Sequence, residues 1–337
     1  MLDHLQYTLA LGALFLMIGW GLPAQAQEAF VDDATCPNTG SGTSGDPYCE
    51  IQTAIDNANS GDVIDVAAGT YAEGIVVNKA LTIQGNNAGT PGSGTRAEES
   101  TIVPEPSEGG GPPPPFLISV ASSNVTIDGF EFDAQSNVPT GIGVQSGGET
   151  PVVESTVIQN NVFENFPSGV TISIFETTID IPFGVGIAGV GPSTENEFAN
   201  NLFQNFGDYQ PPTDNGPETE GEPERASIGI AVVDGFEASI ENNRIDNVAF
   251  GVLMTQGRLP MPMGGGPIGE PILGQEPGSR DAQAQPANAG IAHVSGGQIT
   301  NVHRGIVFYP GQQDATYYGG GSRNQWSRRV WHCIVPF

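Results

Sequence analysis

Positive charge is almost missing from this chain. Ten Lys and Arg stand against 38 Asp and Glu in 337 residues, a formal net charge of −28, and Lys79 is the sole lysine. Phosphate backbones are gripped by clustered Lys and Arg, so this balance excludes nucleic acid as a partner. An anionic polysaccharide would also be repelled unless cations bridge the two. Long apolar runs are scarce as well. The stretch Leu9 to Ile18 is too short to span a membrane, and Ala24-Gln25-Ala26 after it has the small-x-small form of a secretory cleavage site. Residues 1–26 are therefore expected to be a signal peptide, with an n-region unusual in carrying Asp3 and His4 but no Lys or Arg. Cysteine is nearly absent. Cys36 and Cys49 flank a flexible Gly/Ser/Asp/Pro segment and are not at metal-site spacing, which suits a small disulfide loop in an oxidising compartment and leaves Cys333 over.

What the chain has in abundance is glycine and proline, 47 and 27, and a recurring phrase. Gly229, Ile230 and Val232 return as Gly251, Val252 and Met254, a period in the range of stacked solenoid coils. Between them lies Ile240-Glu-Asn-Asn-Arg-Ile245-Asp-Asn247, matched upstream by Ile158-Gln-Asn-Asn-Val-Phe163-Glu-Asn165 and Phe198-Ala-Asn-Asn-Leu-Phe203-Gln-Asn205. Weaker copies run from Ile127 to Asp133 and from Val294 to Asn301. A unit this short cannot bury its own apolar face and must stack on neighbours. Alternation in Gly141–Val144, Val185–Ala188 and Gly305–Phe308 predicts strands rather than helices. The Asn pairs (Asn160, Asn161, Asn200, Asn201, Asn242, Asn243) then have a structural task, since Asn tolerates the left-handed backbone of a tight turn and stacked amides bond one another. A ligand role is the alternative.

One helix is predicted, Cys49 to Ala58, with Ile51, Ala54, Ile55 and Ala58 at helical spacing and a stop at Ser60-Gly61. Placed ahead of the first coil, it would cover the open apolar end of the stack. The run Ile51-Gln-x-Ala-Ile55-Asp, Gly61-Asp-x-Ile64, Gly69-Thr-Tyr-x-Glu73, Leu81-Thr-Ile-x-Gly85 resembles the N-terminal cap and first coils of the right-handed parallel β-helix proteins of the pectin-lyase-like superfamily, and particularly exported bacterial members. The resemblance implies an all-β, right-handed parallel β-helix solenoid with a short N-terminal capping helix. It is specific for fold rather than activity, because that superfamily holds lyases, hydrolases, esterases, epimerases, tailspikes and adhesins. The Asn-Thr-Asp and Gly-His-Gly motifs of polygalacturonase-like sites do not occur, nor does the Asp-Phe-Ile-Phe of pectin-esterase-like sites. Pectate-lyase-like sites use an Arg base beside acidic calcium ligands, and Arg244 between Glu241 and Asp246 is the nearest counterpart; a surface ion pair is the competing account.

The repeat aligns two columns of side chains. Asp133, Glu164, Gln204 and Asp246 fall in one, and Asp128, Gln159 and Glu241 in the other. Carboxylates stacked about 5 Å apart repel unless protonated, separated or bridged by a cation. Asp133, Glu164, Asp246 and Arg244 are thus the catalytic candidates, Asp128 and Glu241 the binding candidates, and Asp133 with Glu164 the calcium candidates. Turns that space the carboxylates apart would remove that role. His293 and His303, with Arg304, flank the last repeat and could serve acid–base chemistry or simply sit on a polar turn.

The expected organisation is a disulfide loop and capping helix over 27–60, a β-helix over 61–317 with insertions at 104–115, 208–225 and 256–289, and an atypical tail over 318–337. Insertions on a rigid stack commonly build its binding cleft. The second carries Asp208, Asp214, Glu218, Glu220, Glu222 and Glu224 without the ligand spacing of an EF-hand, so it reads as a solvated acidic loop. The tail breaks the repeat and holds Trp326 and Trp331, which fits either a shifted reading frame or truncation, or an amphipathic cap. Together these features predict a monomeric protein of the cell envelope or exterior, with no membrane span in the mature chain. It would engage polysaccharide along the solenoid, with lyase or hydrolase activity resting on carboxylates. The alternative is a non-catalytic surface, adhesin or envelope protein.

Overall fold

The computed structural model describes residues 26–106, 114–147, 151–168, 170–174, 177–181, 183–207, 226–255, 291–300, 302, 304–309, 316–318 and 331–332. The insertions at 208–225 and 256–289, the segment 1–25, His303 and Cys333 lie outside the described residues, as does most of the first insertion and of the tail.

Three parallel sheets are wound by one continuous path, so the molecule is a parallel β-helix. Each coil contributes a strand to the first sheet, then to the second, then to the third: Val63–Val66, Gly69–Ala72 and Ile75–Val77 open the series. Later coils repeat it, as in Val157–Gln159, Val162–Glu164 and Phe183–Val190, then Ser193–Ala199, Leu202–Gln204 and Ala226–Val233. The returning phrase is in register as the alternation predicts, with Ile230 opposite Val252 and Val232 opposite Met254. Phe163, Phe203 and Ile245 share one interior. Phe132, Phe163 and Phe203 stack at 4.8 and 4.9 Å between centroids, each pair contributing about 0.5–1.5 kcal/mol beyond its burial. The glycine that leads the phrase clears room for these rings. A Cβ on Gly186 would lie 2.6 Å from the Phe203 ring and 2.8 Å from the Gly229 carbonyl.

The Asn pairs divide their labour. The first of each pair, Asn160, Asn200 and Asn242, adopts φ of 57°, 57° and 54°, the left-handed turn that Asn tolerates. The second is buried and forms an amide ladder. Asn161 donates through its backbone N–H and Nδ2 to Asn201 Oδ1 at 3.0 and 3.2 Å, and Asn201 does the same to Asn243 Oδ1 at 2.9 and 3.0 Å.

At the N-terminal end each sheet presents an edge, and each edge is covered differently. A strand that the repeat did not reveal, Glu28–Val31, extends the first sheet by pairing with Val63–Val66. Its own outer edge is taken by the following loop, where Phe30 N–H donates to Gly42 O and Tyr48 N–H to Phe30 O. Cys36 and Cys49 close that loop in a disulfide, with Cα atoms 5.0 Å apart. On the second sheet, Asp33 Oδ2 accepts the Thr70 N–H at 2.8 Å. On the third, Gln52 Oε1 accepts the Val76 N–H at 2.8 Å. Gln52 belongs to the capping helix α1, Ile51–Asn57, which buries Ile51, Ala54 and Ile55 against the stack and is shorter than its apolar spacing suggests because Ala58 is already extended. Glu73 accepts the Ile51 and Gln52 N–H groups at the helix start, while Lys79 Nζ donates to the carbonyls of Ile55, Asp56 and Ala58 at its end.

Among the described residues, three strand pairings break the parallel rule. An antiparallel hairpin, Val170–Ile174 with Thr177–Ile181, leaves the coil between the second and third sheets. Thr316–Tyr318 lies antiparallel to Arg304–Tyr309 on the third sheet, and Trp331–His332 lies antiparallel to Ile291–Ser295 on the first. No helix among the described residues is long and apolar enough to cross a membrane.

Candidate carboxylate face

The second sheet turns one side of each strand outward, and alternation assigns that side. On Glu131–Asp133 the inward residue is Phe132, so Glu131 and Asp133 both face out. Register then builds two columns. Thr101, Glu131 and Val162 align in one, and Leu202 aligns with Arg244 further along it. Asp133, Glu164 and Gln204 align in the other, which continues through Asp246 to Thr300. The column that the repeat predicted is therefore physically in register, at the roughly 4.8 Å strand spacing of a sheet.

The repulsion expected between its carboxylates is relieved by amides. Asn165 Nδ2 lies 2.9 Å from Asp133 Oδ1 and 3.3 Å from Glu164 Oε1, so a single amide group donates to both carboxylates. Gln204 Nε2 donates to Glu164 Oε2 at 3.0 Å, and Thr300 Oγ1 to Asp246 Oδ1 at 2.9 Å. These donors supply the positive ends that a bridging cation would. Among the described residues no three carboxylates converge on one point as metal ligands. Arg244 is exposed in the neighbouring column, between Leu202 and Gln298.

Glu131 differs from its neighbours. Burial raises its carboxyl above the ordinary carboxylate range, opposed by a 2.7 Å hydrogen bond from Thr101 Oγ1 and reinforced by the charges of Glu164, Glu99 and Asp133. Glu131 was not singled out from the sequence, although its place two residues before Asp133 on one strand was the available signal.

The second predicted column, on the first sheet, separates into different environments. Asp128 is buried, and its oxygens accept from Gln159 Nε2, Asn160 Nδ2 and the Gly89 N–H at 2.9, 2.8 and 3.0 Å. It anchors a loop, residues 85–99, that braces three successive coils. Within that loop Arg96 pairs with Glu99 at 2.6 Å and donates to the carbonyls of Asn160 and Phe130, while Gly92 N–H reaches Asn200 O. Glu241 accepts from Ser239 Oγ at 2.7 Å. The brace stands at the corner between the first and second sheets and so walls one side of the carboxylate face.

No family model and no curated protein matches this chain. Solved structures similar to it include a rhamnogalacturonan lyase, at 13% identity and a TM-score of 0.39 over 70% of this chain and 58% of that one. Another is a GH136 lacto-N-biosidase from Eubacterium ramulus, at 11% identity and a TM-score of 0.33 over 67% of this chain and 49% of that one. The chain thus spans less than two thirds of the length of either.

Proposed function

We propose that the outer face of the second sheet binds an extracellular polysaccharide lying across the coils, and that Glu131 with Asp133 and Glu164 cleaves it. The in-register column of carboxylates and amides beside Glu131 carries this reading. A ladder of polar side chains at successive coils, Asp133, Glu164, Gln204, Asp246 and Thr300, offers hydrogen bonds to successive hydroxyl groups. Glu131, whose carboxyl burial raises above the ordinary range, is suited to general-acid work, and Asp133 or Glu164 supplies the second carboxylate that glycoside hydrolysis needs. A net charge of −28 favours an uncharged chain as substrate. The leader-like segment 1–26 and the disulfide between Cys36 and Cys49 support secretion.

A non-catalytic surface or adhesin role is the second reading. It is favoured by one observation: Asp133 and Glu164 are already engaged by Asn165 and Gln204, as a purely structural ladder would have them.

A panel of polysaccharides tested for reducing ends and for unsaturated products, with Glu131→Gln and with Asp133, Glu164 and Asp246 changed singly to Ala, decides between the two. Cleavage lost in Glu131→Gln while binding persists supports the enzyme. Binding by the unaltered chain without any product supports the adhesin.

A further inference from the structure

Among the described residues, Asp62 is a buried carboxylate, only 6% exposed, that stands in no ion pair. Its Oδ2 accepts the Asn59 N–H at 2.7 Å and closes a turn, and its Oδ1 accepts the Gln27 N–H at 2.8 Å. The Gln27 N–H, against the opposing effect of burial, holds the carboxyl below its ordinary value. Lys79 is the charged side chain that faces Asp62, and it acts only at longer range because its Nζ is held by three carbonyls at the end of α1. A peptide N–H is satisfied by any neutral oxygen, whereas a buried carboxylate is costly unless positive charge offsets it.

That positive charge is one hydrolysis away. Gln27 is where the chain joins the first sheet, since its carbonyl accepts the Val63 N–H at 2.8 Å and the strand Glu28–Val31 follows. It is also the residue after Ala24-Gln25-Ala26, the small-x-small form at which a leader is cut. A local motif and a sheet pairing thus meet at one peptide bond. Adding water across the Ala26–Gln27 bond leaves a carboxylate on Ala26 and an ammonium on Gln27, already placed against Asp62 Oδ1.

We propose that Gln27 is the N-terminus of the processed protein and that Asp62 is the receptor for its α-ammonium. The proposal rests on the secretion reading. The pair ties down the edge strand Glu28–Val31, where a free terminus would fray. It also protects Gln27 chemically. An N-terminal Gln closes to a lactam when its neutral amine attacks its own side-chain carbonyl carbon, forming a C–N bond and expelling the amide nitrogen as ammonia. Asp62 keeps the amine protonated, which lowers the neutral fraction, and so the rate of closure, about tenfold.

The first test is the intact mass of the chain exported by a bacterial host with residues 1–26 in place. The expected mass is that of 27–337 with Gln27 open. Export with any other starting residue overturns the proposal alone, whereas failure to be exported overturns the secretion reading. The receptor role is tested separately, on chains made to start at Gln27 by removal of a fusion partner. Asp62→Asn, which keeps an oxygen acceptor, should lose ammonia about tenfold faster at neutral pH. Pairing raises the folded-state value of the amine, so its stabilisation is full below about pH 8 and lost as pH rises through that raised value. The melting temperature of the Gln27 chain should fall across that window, and a chain that retains Ala26 should lack the step. Equal rates of ammonia loss with and without Asp62, or one pH profile with and without Ala26, overturns the receptor role.

Discussion

Two corners of the coil obey different rules. Between the first and second sheets the chain crosses in two residues in five coils, at 129–130, 160–161, 200–201, 242–243 and 296–297, and takes the long brace of residues 85–99 only in an early one. The first of each pair has positive φ: Gly129 at 82°, Asn160 and Asn200 at 57°, Asn242 at 54° and Gly296 at 62°. Between the second and third sheets the crossing varies freely. It runs from Asp133 to Thr140 in one coil, from Glu164 to Phe183 with a hairpin inside it in the next, and from Asp246 to Phe250 in another. Where the crossing is two residues long, its left-handed turn and its amide ladder would both be lost if one residue were added. The loose corner closes on packed strands at either end, and loop entropy grows only slowly with length. Loop length can therefore vary at one corner while the two-residue turns of the other keep the coils aligned.

That contrast can be broken most sharply at the ladder. Asn201→Ala removes the acceptor of the Asn161 N–H and Nδ2 groups, the donor to Asn243 Oδ1 and the donor to the Ile158 carbonyl. The buried Asn161 N–H left without its acceptor, while Asn243 Oδ1 keeps the Asn201 backbone N–H, should cost about 1–3 kcal/mol in denaturant unfolding. A loss below that of an ordinary surface substitution would show that the ladder does not hold the corner. At the neighbouring position, Asn200→Ala replaces a residue that tolerates the left-handed region at φ 57° with one that does not and should cost about 1 kcal/mol, with Asn200→Gly close to neutral. Equal losses for Ala and Gly would point to the side chain and not the backbone.

Replacing the hairpin Val170–Ile181 at the loose corner with a short Gly/Ser link should shift global stability by less than about 1 kcal/mol. A shift as large as that of Asn201→Ala would erase the distinction between the corners.

The smallest expected effect concerns Glu131, next to the tight corner. Because its folded-state carboxyl binds protons more tightly than in the unfolded chain, its contribution favours folding at acid pH and is lost as pH rises through the raised folded value. Glu131→Gln should flatten that slope and raise the melting temperature slightly at neutral pH. An unchanged pH profile would mean that the carboxyl is not held up by burial.

Much of the fold was legible in the residue pattern, and less of the site. Alternation and the Asn-Asn phrase implied strands, corners and the in-register column of Asp133, Glu164 and Gln204, because each depends on neighbours a few residues away. The strand Glu28–Val31 was hidden since it precedes the repeat and joins the sheet only through Val63–Val66. Asp128 appeared as a member of an outward column, yet it lies beneath the brace of residues 85–99, whose path no local pattern encodes. Glu131 stood inside a recognised phrase, but its raised carboxyl arises from burial and from charges on other strands.

The amino-acid order alone set the period of the coil, the inward row of Ile, Val and Phe, the glycines that make room for rings, and the placement of Asn at two-residue turns. These are properties of short backbone segments. Tertiary structure decided what the isolated charges do. Lys79 became the C-terminal cap of α1 across 24 residues to Ile55, Glu73 its N-terminal cap across 22 to Ile51, and Arg96 the clamp on Asn160 across 64. A long side chain can satisfy many partners, and only the stacked coils determine which carbonyl or amide stands within its reach.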